Sequence, residues 1–309
     1  MERTWDCIVV GGGAAGLSAA LVLGRARRRT LVVDAGEQSN RVAHGIGGLL
    51  GHDGRPPAEL YAQGRRELAA YRSVTILDGR VTDARREGSG DGDPFALTIA
   101  PAGGDERIER TRAVLLATGM EYRPRAELPG LGPLWGDTVF HCPFCHGWEV
   151  QGEPLAVLAG GDDGVHMALM LQAWSDDVVL LAGDVPPAGR ERLAAAGVAV
   201  EERPVAALRA EAGRLAGVVL ADGTELERRG LLVATTLHQR TDLAARLGVE
   251  TAPPGPQAID ALVLDPLQAT TVPGVWAAGD TTGQPPSVAG AIASGMMAAA
   301  MLVRTLQGV

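Results

Sequence analysis

The stretch DCIVVGGGAAGLSAALVLGRARRRTLVVDAG, residues 6–36, decides the fold. DCIVVG (6–11) is an apolar run of strand length and GGGAAG (11–16) is a glycine turn. LSAALVLGRAR (17–27) has a helical composition, and LVVDAG (31–36) is a second apolar run that ends in an acid. Strand, glycine turn, helix and strand within about 30 residues make the βαβ unit that cradles a dinucleotide. Gly11, Gly13 and Gly16 hold the G-x-G-x-x-G spacing, with Ala14 at the helix start. Gly11 permits the tight turn, Gly13 lets the backbone approach a pyrophosphate, and Gly16 lets the helix pack closely. The free N–H groups of the helix N-terminus then face the anion. Asp34 lies 18 residues beyond Gly16, where such a unit holds a ribose 2′-hydroxyl.

The pattern occurs twice. PLAVLAGGDDG (154–164), VHMALMLQAW (165–174) and DVVLLAGD (177–184) repeat the order of strand, glycine turn, helix and strand about 150 residues later. FALTIA (95–100), AVLLATG (113–119), GLLVATT (230–236) and VWAAGDTTG (275–283) add strands, and GSGDGD (88–93) and PAGGDE (101–106) add turns. The expected fold class is α/β, with two Rossmann-like, three-layer dinucleotide-binding domains.

Composition narrows the function. A chain of 309 residues, 46% hydrophobic, can bury the cores of two domains. Its net charge of -9 argues against nucleic acid and anionic membranes as partners, because binding to either needs clustered positive charge. All 28 basic residues are arginine, which excludes a Schiff-base lysine and a P-loop lysine. MERTWDCIVVGGG runs straight into a strand and a glycine loop without a signal-peptide pattern, so a cytoplasmic location is expected. PPSVAGAIASGMMAAAMLV (285–303) is uncharged, but its glycine, alanine and serine content reads as a buried helix rather than a membrane span.

HCPFCHGWEV (141–150) contains two of the three cysteines. In a chain without a disulfide framework, a C-x-x-C pair points to metal or redox chemistry. Cys142 and Cys145 can close a disulfide if the turn between them opens a helix, and a helix N-terminus stabilises thiolate. Pro143 suits the first turn of such a helix. A structural zinc site normally takes four ligands, and the chain has a single C-x-x-C. No metal is expected. Cys7, on the first strand, reads as a small core residue.

The order GGGAAG, LVVDAG, LLATG (115–119), C-x-x-C, second glycine loop and VWAAGD (275–280) resembles the low-molecular-weight thioredoxin reductases over essentially the whole chain. The resemblance implies a discontinuous FAD-binding domain of residues 1–118 and 245–309. It also implies an inserted NAD(P)H-like domain of residues 119–244 that carries the redox pair, and a homodimer. Position by position, it implies that Gly11, Gly13, Ala14 and Gly16 hold the FAD pyrophosphate and Asp34 the ribose. Ala35, Gly36 and Arg41 follow in the same site, Val81 meets the adenine, and Thr118 and Gly119 lie where the chain crosses the cofactor. Gly279 and Asp280 serve the ribityl and phosphate region, and Val288 presents its N–H to the flavin. The family's Arg-Gln pair before the last helix is replaced by Pro286 and Ser287. Cys142 becomes the interchange thiol and Cys145 the thiol beside the flavin.

Two departures from the family's pattern bear on the direction of electron flow. Where the family carries an aspartate after the second cysteine, this chain has His146, whose imidazole, with a pKa of about 6.5, can accept a thiol proton at neutral pH. Glu149 is a candidate to orient that ring, with a solvated surface glutamate as the alternative, and His141 is open between core and catalysis. The second departure is the nucleotide loop of the inserted domain. It begins with Ala159 in place of glycine, carries Asp162 and Asp163, and is followed by Ala182, Gly183 and Asp184 in place of the arginines that clamp a 2′-phosphate. Asp184 follows Ala159 by 25 residues, whereas Asp34 follows Gly11 by 23, and the site reads as degraded. NADPH therefore has no visible basis, and NADH is left to Asp184.

An intact flavin site, an intact dithiol pair and a degraded hydride-donor site resemble the FAD-dependent dithiol oxidases that close disulfides in natural products of the gliotoxin and holomycin type. That resemblance implies a small-molecule dithiol as substrate, O2 as acceptor and H2O2 as product, with His146 as base. The alternatives are a thioredoxin reductase-like disulfide reductase fed by NAD(P)H or ferredoxin, and a flavin-bearing redox sensor without turnover. The run RVAHGIGGLLGHDGRPPAEL (41–60) suits a small hydrophobic substrate or an ordinary packed loop.

Overall fold

The computed structural model describes residues 4–308. Met1 to Arg3 and Val309, which the sequence reading assigns to the two ends of the FAD domain, lie outside the described residues. The chain divides into two compact units. The first comprises the described residues up to Arg41, Pro56–Tyr122 and those from Leu237 onward; the second comprises Val42–Arg55 and Arg123–Thr236.

The chain opens with strand β1 (Cys7–Val10), helix α1 (Ala14–Arg25) and strand β2 (Thr30–Asp34). Helix α2 (Pro57–Leu68) and strands β3 (Val74–Arg86), β4 (Phe95–Pro101), β5 (Arg107–Thr111) and β6 (Val114–Leu116) follow. Strand β7 (Met120–Pro124) leads out of the first unit. The second unit contains β8 (Val139–Phe140), α3 (Pro143–His146), β9 (Leu155–Leu158), α4 (Gly161–Leu171), β10 (Val178–Leu181), α5 (Pro187–Ala195) and β11 (Ala199–Glu201). It continues with the meander β12 (Val205–Glu211), β13 (Arg214–Leu220) and β14 (Glu225–Glu227), and then β15 (Gly230–Val233). Strand β16 (Thr235–Gln239) returns the chain to α6 (Leu243–Arg246), β17 (Val275–Ala277) and α7 (Val288–Gln307).

In the first unit the sheet order is β17-β6-β1-β2-β3-β4-β5. The strands from β17 to β3 pair in parallel, and every residue of β1, β2, β6 and β17 is buried, as strands covered on both faces must be. Strand β3 runs parallel to β2 through Val74–Asp78 and then bends at a bulge near Val81 into an antiparallel ribbon with β4. Alternation along β1 sends Cys7 and Val9 to a core shared with α1 and α7, and Ile8 and Val10 to a core shared with β4 and α6.

Helix α7 is long and apolar enough to cross a membrane, but it packs on α1 through Gly295, Ala298, Ala299 and Leu302. The expected buried helix is therefore buried along one face, with Met296 and Met297 exposed.

The second unit has an all-parallel sheet, β11-β10-β9-β15-β8, covered on one face by α4 and α5 and on the other by the meander. The expected boundaries at 118/119 and 244/245 move to Tyr122/Arg123 and Thr236/Leu237, because β7 and β16 pair and the chain crosses within those strands. Residues 42–55, expected in the FAD domain, belong to the second unit. An Ile46–Arg55 bridge folds this strap on itself, and Gly47 lies against the carbonyls of Phe144 and Cys145.

A methyl group built on Gly295 would sit 2.1 Å from the Ala15 carbonyl oxygen, on backbone that cannot rotate away. Gly295→Ala gains at most about 1 kcal/mol of helix propensity and loses about 1–3 kcal/mol to overpacking. A net loss is expected, read as a lower midpoint of thermal unfolding.

Candidate active site

The first glycine loop has the geometry its spacing requires. Gly11 adopts φ +111°, and a side chain there would meet the Ala117 carbonyl oxygen at 2.2 Å. Gly16 brings α1 so close that a methyl would lie 1.9 Å from the Gly11 oxygen, while a Cβ on Gly13 would meet nothing nearer than 3.6 Å. The loop is thus packed beneath and open above. Among the described residues no side chain caps α1 and no acid lies in its first turn, so the N–H groups of that turn are left as donors without an intrahelical acceptor.

Gly12, which the sequence reading passed over, belongs to the same device. A Cβ there would lie 2.3 Å from the Asp34 carboxyl. Asp34 is buried and accepts from Gly36 N (2.9 Å), Gln38 Nε2 (3.1 Å) and Arg65 (2.9 Å). A cleft of about 350 Å³ opens beside it, lined by Asp34, Ala35, Gly36, Gly79, Arg80 and Ala100 among others. Val81 is a core residue paired with Ile99, and the residues of its strand that reach the cleft are Asp78, Gly79 and Arg80. Arg41 holds the loop by donating to Gly36 O and Gln38 Oε1, both at 3.3 Å.

Thr118 and Gly119 follow β6, and Gly119 turns the chain at φ +64°. Gly279, at φ +79°, donates its N–H to Ser294 Oγ (3.0 Å). Asp280 is half-buried and accepts from Tyr122 Oη at 2.8 Å; desolvation raises its pKa, and Tyr122 and Arg240 partly offset that rise. Val288 is the first residue of α7, and Ser287, in place of the family's charged and amide pair, caps that helix by accepting from Gly290 N at 3.0 Å. These residues fit FAD. The loop leaves room for a pyrophosphate, the helix offers free donors, and the buried acid beside the cleft matches an adenosine ribose.

In the second unit α3 is a single turn. Cys142 is its N-cap, Pro143 its first residue, and the two sulfurs are 2.6 Å apart. The Cys145 thiol donates to Cys142, which brings the Cys142 pKa down to about 7 against the effect of burial; the same proton-sharing and burial push Cys145 far up. Gly147 is buried, and a side chain there would strike the Pro143 carbonyl at 2.6 Å and the Trp174 ring at 2.8 Å. Phe144 and Trp148 flank the pair, each 71% exposed.

His146 stacks on Phe140 (5.7 Å between centroids, 11° between planes), and its Nε2 lies 3.1 Å from the Gly136 carbonyl oxygen. Its Nδ1 is buried without a hydrogen-bond partner. Burial lowers its pKa, opposed in part by the Gly136 carbonyl and the Glu149 carboxylate. Glu149 is exposed and makes no hydrogen bond to the ring; the orienting contact comes from Gly136, which motif reading could not find. His141 stacks on Trp135 (5.7 Å, 25°), and burial pushes its pKa down to about 4.

The second glycine loop differs from its spacing-based reading. Gly164 lies against the Ala159 carbonyl (2.4 Å to a built Cβ) as Gly16 lies against Gly11, and Gly160 meets the Asp184 carboxylate at 2.4 Å as Gly12 meets Asp34. The two extra residues are absorbed because β10 ends at Leu181, so Asp184 is not displaced. It is exposed, however, whereas Asp34 is buried. Asp162 and Asp163 occupy the first turn of α4, and Asp163 is 3.4 Å from Arg125. The carboxylates compete with any pyrophosphate for the positive end of the helix.

Residues 5–295 match the pyridine nucleotide-disulphide oxidoreductase family. The thioredoxin reductase tcpT of Claviceps purpurea is 32% identical over 98% of this chain and 96% of its own length. The thioredoxin reductase sirT of Leptosphaeria maculans is 30% identical over 95% and 92%. Among solved structures, that of HlmI has a TM-score of 0.91 at 36% identity, covering 100% of this chain and 95% of HlmI. An oxidoreductase from Agrobacterium tumefaciens has a TM-score of 0.90 at 37% identity, covering 99% of each chain.

His141 should make folding sensitive to acid. With a folded-state pKa near 4 against about 6.5 when unfolded, the unfolded chain binds the extra proton between those values, so stability is complete above pH 6.5 and lost as pH falls toward 4. The loss is on the order of 3 kcal/mol at most. Chemical denaturation at both pH values should show a smaller pH dependence in His141→Phe than in the wild type.

Proposed function

We propose that this chain, which belongs to the pyridine nucleotide-disulphide oxidoreductase family, oxidises a small-molecule dithiol to its disulfide with O2 as acceptor and H2O2 as product. It is a thioredoxin reductase-like, FAD-dependent thiol/disulfide oxidoreductase, and its substrates are thiols or disulfides. The direction of electron flow is the proposed part. The observation that carries it is the contrast between the two glycine loops. One has a clear helix N-terminus and a buried acid; the other has two carboxylates in its helix and no arginine at residues 182–184.

In this reading a substrate thiolate attacks Cys142 Sγ of the closed Cys142–Cys145 disulfide, the S–S bond breaks, and Cys145 leaves as thiolate. The second substrate thiolate then displaces Cys142, closing the substrate disulfide and leaving the pair reduced by two electrons. Cys142, with a pKa of about 7, is a competent leaving group near neutrality. His146, neutral because burial lowers its pKa, takes the substrate's thiol proton. FAD, when bound, would supply the two-electron acceptor for the pair, with O2 as the final oxidant in this reading.

The exposed aromatic rings of Phe144 and Trp148 beside the pair suit an apolar substrate. A second copy of the chain is the partner this reading assigns to the uncovered apolar face of α7, at Met296 and Met297. The second reading, a disulfide reductase fed by NADH, draws on the placement of Asp184 against Gly160.

Anaerobic mixing of the FAD-loaded enzyme with dithiothreitol should bleach the flavin, and admitting air should restore it with one H2O2 per disulfide. Fast bleaching by NADH or NADPH, with none by the dithiol, would instead support the reductase. Cys142→Ser and Cys145→Ser should each lower dithiol turnover by about 10³-fold or more, as loss of a covalent nucleophile does. Because His146 titrates below 6.5, the bleaching rate should fall as pH drops through that lowered value and level off above it.

A further inference from the structure

Resting on the reading of His146 as the base, we propose that Gly136 is its positioning residue: the Gly136 carbonyl fixes the imidazole as the Nε2–H tautomer and leaves Nδ1 as the proton acceptor. Nε2 is 3.1 Å from that carbonyl oxygen. A carbonyl only accepts, so Nε2 carries the hydrogen of the neutral ring and Nδ1 carries a lone pair. Nδ1 is buried and makes no hydrogen bond of its own, while the Cys142 backbone carbonyl beside the ring favours its protonated form. A histidine serving only the core would gain by satisfying that nitrogen. The ring stacks on Phe140 with 11° between the two planes.

The carbonyl is available because residue 136 is glycine. Its φ is +82°, and a Cβ there would meet Val42 Cγ2 at 2.4 Å. Its own N–H donates to Val139 O (2.9 Å), and Asp137 N donates to Leu134 O (3.3 Å). The turn is thus pinned on both sides while its oxygen faces the ring.

A neutral carbonyl is the appropriate orienting group for a base that must be empty at neutral pH. A carboxylate in the same place would favour the imidazolium and raise the ring's pKa. The charges that face His146 act from farther away. Glu149 and Asp137 favour the cation, and Asp137 is itself engaged by Arg214 at 3.4 Å and His44 at 3.8 Å. His141 and the two cysteines complete the titratable surroundings. When a thiol is deprotonated, its S–H bond breaks, an Nδ1–H bond forms and the sulfur keeps the electron pair. The Nε2–H stays on the Gly136 oxygen.

A mutant cycle on the FAD-loaded enzyme tests this, read as the rate of anaerobic bleaching by dithiothreitol from about pH 5 to about pH 9. His146→Gln keeps a donor for Gly136 but no base, and should slow bleaching by about 10²-fold. Gly136→Ala should slow it by about tenfold and move the pH midpoint, yet change the rate by less than about twofold in the His146→Gln background. Equal losses in both backgrounds would overturn the positioning role while leaving the base intact. No loss from His146→Gln would overturn the base reading itself. If Gly136→Ala fails to retain flavin, Val42→Ala/Gly136→Ala, which removes the clash, takes its place in the cycle. The ¹⁵N shifts of wild-type His146 supply a check independent of variants: an unprotonated Nδ1 is expected near pH 7, and an Nδ1–H tautomer would refute the assignment.

Discussion

A peptide carbonyl lodged where a side chain would otherwise sit is the constraint on which both units depend. In the first, Gly16 lets α1 settle on the Gly11 carbonyl, and in the second, Gly164 lets α4 settle on Ala159. Close seating fixes where each helix begins, and the start of a helix is where its unpaired N–H groups and positive potential lie. The glycines therefore act by aiming a set of donors, and everything in the cofactor site follows from that aim. Gly12 and Gly160 extend the same logic sideways by admitting Asp34 and Asp184.

Given one framework used twice, function is decided by the few groups that differ. The first turn of α1 carries no acid, and that of α4 carries Asp162 and Asp163. Acids in a first turn stabilise the helix itself, so their presence in α4 is structurally favourable at the same time as it opposes a bound anion. Asp34 is buried and held by three donors, whereas Asp184 is exposed. The first site is preorganised for a ligand, and the second has the shape of one without the same electrostatics.

The glycine spacing, the strand runs and the C-x-x-C turn were legible in the sequence because each depends on local chain geometry. The 25-residue interval to Asp184 misled, because interval is a proxy for position only when the strand runs up to the acid, and β10 stops at Leu181. The strap 42–55 was likewise assigned to the wrong unit, since its place depends on contacts with Phe144 and Cys145 about a hundred residues away. Gly136, Gly147 and Trp174 escaped notice for the same reason. Nothing in a motif marks a backbone oxygen or a ring that becomes important only through tertiary packing.

The exchange of an acid for His146 can be weighed from the pair it follows. Cys142 ionises near 7, so a thiol of similar acidity would pass its proton to a base whose own pKa burial holds below its ordinary value. An aspartate of ordinary pKa, about 3.9, would accept the same proton uphill by about 3 pKa units, or about 4 kcal/mol. That gap is a handicap in a group that must collect protons from incoming thiols. An imidazole starts from an ordinary pKa of about 6.5, so even lowered by burial it is suited to stay neutral near pH 7 and receive a proton. On the proposed oxidative reading, the residue after the second cysteine bears on the direction of the chemistry as directly as the cysteines bear on its kind.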